Sequence, residues 1–218
     1  YLIKKNEKLI IKEGQKIIIK ENSTLFSKGD LTFLGNSDNP NYIVGDEKSG
    51  HIVHFDGNIK IGFLIVSNLR EPKQLNGYKL YGGINLINSK ININKIIIQD
   101  SISEDAINFI NSTTKLNEIF IKNSSSDAID VDGGIFEFKR ISCHKIGNDC
   151  LDTSNAIIKG EILLGENILD KSISIGENSN VSIQKVNIKN SEIGVAVKDG
   201  SKMVVKHLNL KNTSLPIA

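Results

Sequence analysis

Three tetrapeptides, DAIN at Asp105, DAID at Asp127 and DCLD at Asp149, recur at a step of 22 residues. That period limits the folds open to the chain more than any other feature. The same step lands on Lys171, which opens KSISIGENSNVSIQKVNIKNSE, and on Ile193, which opens IGVAVKDGSKMVVKHLNLKNTS; these two units match along their whole length. Counting backwards reaches GINLINSKININKIIIQDSISE at Gly83, where INLINS echoes INFINS with a slip of one residue. Six consecutive units therefore share one period.

Inside each unit the apolar residues alternate, as a strand with one buried face requires. Ile107, Ile129, Leu151, Ile173 and Val195 hold the third position of their units, and Phe109, Val131, Thr153, Ile175 and Val197 hold the fifth. These ten side chains are expected to face inward and to stack in columns. A second alternating run closes the later units, as in VSIQKVNIKN and MVVKHLNLKN, and Gly133, Gly134, Gly176 and Gly200 with nearby Asn and Ser mark the corners. The dense β-branched residues exclude a helical solenoid, and the Leu and Asn framework of a leucine-rich repeat is missing. Short strands coiled so that equivalent residues stack about 4.8 Å apart satisfy both period and alternation. The expected fold is all-β, a single parallel β-helix over residues 1–218, irregular in its first coils (1–68) and regular from 83 to 213.

Composition narrows the partners. Hydrophobic residues make up 39% of the chain, with Ile dominant, and aromatics only 6%, a bias toward aliphatic stacking of strands. A net charge of +2 with interspersed signs gives no general attraction for nucleic acid or membrane surfaces. No apolar run approaches the roughly 18 residues of a membrane span, so neither nucleic acid nor membrane insertion is expected. The chain opens at Tyr1 and closes on SLPIA, which reads as a piece of a longer protein with neighbouring modules as partners. Cys143 and Cys150 fit no zinc ribbon or disulfide framework. They are expected to be two unpaired thiols, Cys143 buried in the column of Ile121 and Cys150 pointing outward near Asp152. His51 and His54 in HIVH lack a third zinc ligand and, on an alternating strand, point to opposite faces.

With the third and fifth positions inside, the second, fourth and sixth are expected outside. Asp130, Asp132 and Asp152 then converge on adjacent coils of one outer face, with Asn108 in the same column as Asp130. Two carboxylates about 5 Å apart repel by roughly 1 kcal/mol in water and about 3 kcal/mol at an effective dielectric of 20. Solvent, a shared proton, a basic side chain or a bound cation has to relieve this. Ca²⁺ takes six to eight oxygens, of which Asp130, Asp132, Asp152 and Asn108 supply about half. The same three aspartates are the candidate catalytic residues, against the alternative of a plain solubilising surface. Asp105, Asp127 and Asp149 form a separate corner column, where each carboxylate is expected to accept N–H groups of its own turn. The segment LREPKQLNGYKLYGG, residues 69–83, breaks the rhythm just before the Gly83 unit. It carries Arg70, Lys73, Tyr78, Lys79 and Tyr81, candidates to wall a groove beside the acidic face by stacking and charge; Arg70, Lys73, Tyr78 and Lys79, with Asn108, are the candidate substrate-binding residues.

The units NSSSDAIDVDGG, GNDCLDTSNA, KSISIGENSNVSI and SEIGVAVKDGS resemble right-handed parallel β-helix proteins of the pectate-lyase-like superfamily. More narrowly they resemble β-helix domains of bacterial surface proteins found beside spore-coat-type kinase modules, and LIIKEGQKIIIKENSTLFSKGDLTFLGN is similar to the first coils of such domains. The resemblance covers nearly the whole chain. It implies a secreted or cell-surface location and a role as a surface scaffold or polysaccharide-binding rod within a larger protein, with a surface glycan as partner. It also implies an alternative, a polysaccharide lyase, epimerase or hydrolase whose acidic face holds Ca²⁺ or acts as acid and base. The sequence shows no base beside the acidic residues, and no Gly-His-Gly segment, for that second role.

Overall fold

The computed structural model describes residues 1–72, 77 and 79–218. Their strands are β1 (Leu2–Ile3), β2 (Lys8–Ile11), β3 (Lys16–Ile19), β4 (Thr24–Ser27), β5 (Asp30–Phe33), β6 (Asn41–Gly45), β7 (His51–Phe55), β8 (Asn58–Ser67), β9 (Gly82–Ile87), β10 (Lys90–Gln99), β11 (Asp105–Ser124), β12 (Asp127–Ile146), β13 (Leu151–Gly176), β14 (Asn180–Val197) and β15 (Lys202–Ile217). Every pairing is parallel, and the strands wind into a solenoid of about 9 turns. One short 3₁₀ turn, Asp46–Lys48, is the only helical element among the described residues. No helix there is long and apolar enough to cross a membrane.

The later strands are too long to be straight. β13 has 26 residues and would span about 86 Å fully extended. Instead these strands bend around the solenoid while their ladders continue, and left-handed residues make the bends. One column of them runs through Asp56, Asn88, Asn111, Gly133, Asn155, Glu177 and Asp199; the other through Asn68, Asp100, Asn123, Lys145, Asn167, Asn190 and Asn212. Their φ angles lie between 47° and 79°, a region that Asn, Asp and Gly enter at least cost. In the second column side-chain amides link coils: Asn123 Nδ2 donates to Asp100 Oδ1 (3.0 Å), Asn190 to Asn167 (2.9 Å) and Asn212 to Asn190 (3.0 Å). Lys145 interrupts that ladder.

The predicted columns stand. Ile107, Ile129 and Leu151 are paired in register, as are Ile173 and Val195, and all five are buried. Phe109, Val131 and Thr153 form the next column, fully enclosed. The slip of one residue at the Gly83 unit is also real, since Ile84 lies opposite Ile107. A second single-residue shift falls where Ile157 meets Asn180, and it is taken up between Ile168 and Lys171. Earlier coils are uneven: Lys8 pairs with Asp30, but Asn58 with Lys90.

The outward expectation fails at the second position. Ala106, Ala128 and Cys150 are buried members of the main core, and Ser172 is fully enclosed. The chain is still rounding a corner there, so strict alternation has not begun. The same corner overturns the cysteine expectation. Cys143 and Cys150 are joined by a disulfide with their Cα atoms 5.9 Å apart, and both are buried. A spacing of seven residues hides this pairing in the sequence; the turn from the end of β12 into β13 brings the two together.

Candidate functional site

The first face, formed by β4, β7, β9 and the opening residues of β11, β12 and β13, carries two outward columns. One reads Phe26, Val53, Asn85, Asn108, Asp130 and Asp152; the other reads Phe55, Ile87, Ile110, Asp132 and Ser154. Toward the N-terminus the face is therefore apolar, and it turns acidic over three coils. Val53, Ile87 and Leu80 form a small buried cluster on this outer side, joined by Phe26, Phe55 and Ile110. Leu80 thus pins the segment before β9 onto the face. Its neighbour Tyr81 accepts the Asp105 backbone N–H at 3.2 Å, which sets Tyr81 beside the acidic end.

Asn108 organises the carboxylates. Its Nδ2 lies 2.9 Å from Asp130 Oδ2, 3.2 Å from Asp105 Oδ2 and 3.4 Å from Asp132 Oδ2. One amide group thus binds three acids together, and Asp152 follows one coil beyond Asp130. Asp152 Oδ1 accepts the Thr153 backbone N–H at 2.8 Å. Burial, then the charges of Asp105, Asp132 and Asp152, together with a hydrogen bond to Asp132, push the Asp130 carboxyl up to about 10. Asp105 rises to about 8 through burial and the nearby Asp127. Near neutral pH the repulsion is relieved by protons held in the cluster. The predicted trio is brought together, and Asp105 is a member that the sequence assigned elsewhere.

The corner column behaves differently from expectation. Two of its three carboxylates accept a backbone N–H of the next coil rather than of their own turn: Asp149 N–H donates to Asp127 Oδ1 at 2.7 Å, and Lys171 N–H to Asp149 Oδ1 at 2.9 Å, while Asp105 accepts the Asn108 amide. Asp127 and Asp149 thus fasten coil to coil. Burial raises both Asp127 and Asp149, the latter to about 6, against the lowering effect of those N–H groups. Lys171 closes the column with its Nζ 3.3 Å from Asp149 Oδ1 and also pairs with Asp170. Burial works against the charge of Lys171, yet these partners raise its pKa overall, so it stays a cation and no general base. Its place was readable from the 22-residue step, one unit after Asp149.

Of the remaining candidates, Lys73 and Tyr78 lie outside the described residues. Lys79 Nζ sits 4.6 Å over the Tyr81 ring, near the groove wall. Arg70 is placed elsewhere, in a recess on the N-terminal coils lined by Glu21, Thr24, Gly50 and His51, with none of the acidic cluster. His51 and His54 do take opposite sides: His51 meets Thr24 Oγ1 at 2.5 Å, while His54 is fully enclosed in the column of Ser27 and Leu86. Among the described residues no group of three or more His, Cys, Asp and Glu side chains is disposed to hold a metal ion. The Asn108 N–H also points into the space where a cation would need oxygens. Compared with family models, with curated proteins and with solved structures, the chain finds no match.

Proposed function

We propose that this β-solenoid is a rod-shaped, extracytoplasmic module that binds a polysaccharide across its first face and displays or spaces the modules beside it. The observation that carries the reading is the single amide of Asn108 gathering Asp105, Asp130 and Asp132 next to an apolar strip, Ile87 and Ile110, walled by Leu80 and Tyr81. Hydroxyl-rich ligands are recognised by such a pairing of convergent polar groups with an apolar platform. The buried Cys143–Cys150 disulfide supports a compartment in which disulfides persist. Binding to a panel of immobilised glycans tests this. The wild-type chain should retain at least one, and Asp130→Asn combined with Asp152→Asn should lose it while keeping a cooperative melt. Retention of no glycan would overturn the reading.

One observation favours a second reading, a carbohydrate-active enzyme. Burial and the neighbouring carboxylates push Asp130 up to about 10, and Asp152 stands opposite it on the next coil, where strands lie about 4.8 Å apart; a protonated acid and a second carboxyl about 5 Å apart are the pairing used by retaining glycoside hydrolases. Incubation with uronate polymers, followed at about 235 nm for a lyase and by reducing ends for a hydrolase, separates catalyst from binder. Ca²⁺ enters the same comparison. A shared ion on Asp130, Asp132 and Asp152 should raise the melting temperature by several degrees, and an unchanged melt removes it.

A further inference from the structure

Among the described residues the cations of this face lie off the acidic cluster, Lys79 over the Tyr81 ring and Lys198 over Gly176. Among the described residues, none of Asp105, Asp130, Asp132 and Asp152 forms an ion pair. Apart from the carboxyl proton between Asp130 and Asp132, Asn108 Nδ2 is the one side-chain donor among the described residues that reaches Asp105, Asp130 and Asp132. Acceptors are left over as well. Asn108 is 1% exposed and its Oδ1 has no hydrogen-bond partner. Ser174, which follows Asp152 in the same outward column, is fully buried and its Oγ has none either. Ser174 stands one coil beyond Asp152, whereas Asn108 Oδ1 lies two coils before it on an amide whose Nδ2 faces Asp130; a buried oxygen without a donor is costly, and the one beside Asp152 marks where a ligand N–H is wanted.

Charge then selects among ligands. A uronate would bring more negative charge to a cluster that already repels itself, whereas an ammonium supplies three N–H donors and the missing positive charge. Ile110, half-buried and opposite Asp132, continues the apolar strip toward the acids, and it offers a surface for the C–H face of a sugar ring.

We infer that the first face takes a glycan whose hexosamine units carry free, protonated amino groups, the ammonium lodging between Asp132 and Asp152 and the ring lying over Ile110. The inference rests on the polysaccharide-binding reading and names its substrate class. It also predicts that binding releases a proton from the cluster, because an ammonium replaces the proton that otherwise relieves the repulsion.

Titration calorimetry with the full chain tests it, using glucosamine oligomers, their fully N-acetylated counterparts, galacturonate oligomers with and without Ca²⁺, and spermine. Glucosamine oligomers should bind at least 10-fold more tightly than the acetylated ones, and heats in two buffers should report proton release. Asp132→Asn with Asp152→Asn should weaken binding at least 10-fold. Ser154→Lys, a surface change that sets a cation beside Asp132, should do the same with an unaltered melt. Acetylated or uronate oligomers binding as tightly, in an aspartate-dependent way, would overturn the amino-sugar inference and leave the glycan reading standing. Spermine binding as tightly as the oligomer would show that charge alone is read, which also overturns it. Failure of every oligosaccharide would remove both.

Discussion

The Phe138 ring lies directly over Gly160 of the next coil, so close that a β-carbon at 160 would overlap it. Both positions belong to the column that continues to Ile183, and the ring uses the space that a side chain at 160 would claim. Gly160→Ala should therefore lower stability by about 1–3 kcal/mol through overpacking. Denaturant unfolding measures this, and Phe138→Leu in the same chain should recover most of the loss. Equal stability of the single variant would contradict the packing.

How far the sequence foretells the structure differs between column and corner. Ile107, Ile129 and Leu151 announce themselves by position, because a strict period of two inside a period of 22 leaves them only one place to go. Asp105 and Cys150 do not. Each stands at or beside the turn into the first face, where the chain direction changes and alternation says nothing about orientation. Asp105 joins the acidic cluster only because the Asn108 amide reaches back to it, a contact of two side chains that no spacing rule encodes. Apolar covering of the outer face by Leu80 was equally hidden, since the segment that carries it has no period.

Lys145 should be the weak link in the amide ladder. It holds a left-handed conformation, φ 58°, between Asn123 and Asn167, where Lys gains nothing and Asn would bond in both directions. Lys145→Asn is expected to add about 0.5–1.5 kcal/mol. A rise in melting temperature would show it; a fall would mean that the lysine makes a compensating contact.

The acidic face sets the pH dependence. The folded-state pKa values of Asp130 and Asp105 are raised, to about 10 and about 8, so the folded chain binds more protons than the unfolded one above the unfolded value near 3.8. Their contribution is full below that value and is lost as pH rises through the folded pKa values. Melting temperature should accordingly fall between pH 6 and pH 9. Asp130→Asn should flatten that fall, and an unchanged slope would contradict the assignment.

His54 should act in the opposite direction. Burial lowers its pKa below the usual 6.5, as it lowers that of His51 to about 4, so the unfolded chain is the one that takes up protons first. Stability from a neutral His54 is complete above about pH 6.5 and declines as the solution is acidified. His54→Leu, matching Leu86 in its column, should stabilise the chain and reduce its acid sensitivity, read as melting temperature at pH 5 against pH 7.

Removal of the disulfide should be felt throughout the regular coils. Cys143→Ala with Cys150→Ala opens a loop spanning a separation of 7 residues, worth about 2 kcal/mol in chain entropy. Unfolding without reductant should expose no thiol to a maleimide label; labelling of two would show the pair to be reduced.

The left-handed column at Asn68 has an engineering consequence. Just past that bend Leu69 and Arg70 still bond the coils on either side, Leu69 O accepting from the Ile102 N–H and the Arg70 N–H donating to Gly50 O, and the register resumes at Gly82 opposite Asp105 and at Lys90 opposite both Asn58 and Thr113. Eleven residues thus stand between Arg70 and Gly82 while the strands on either side stay paired. That insertion is a natural mounting point, at which foreign loops of varied length could be grafted onto the rod while the wall beneath keeps its stacking.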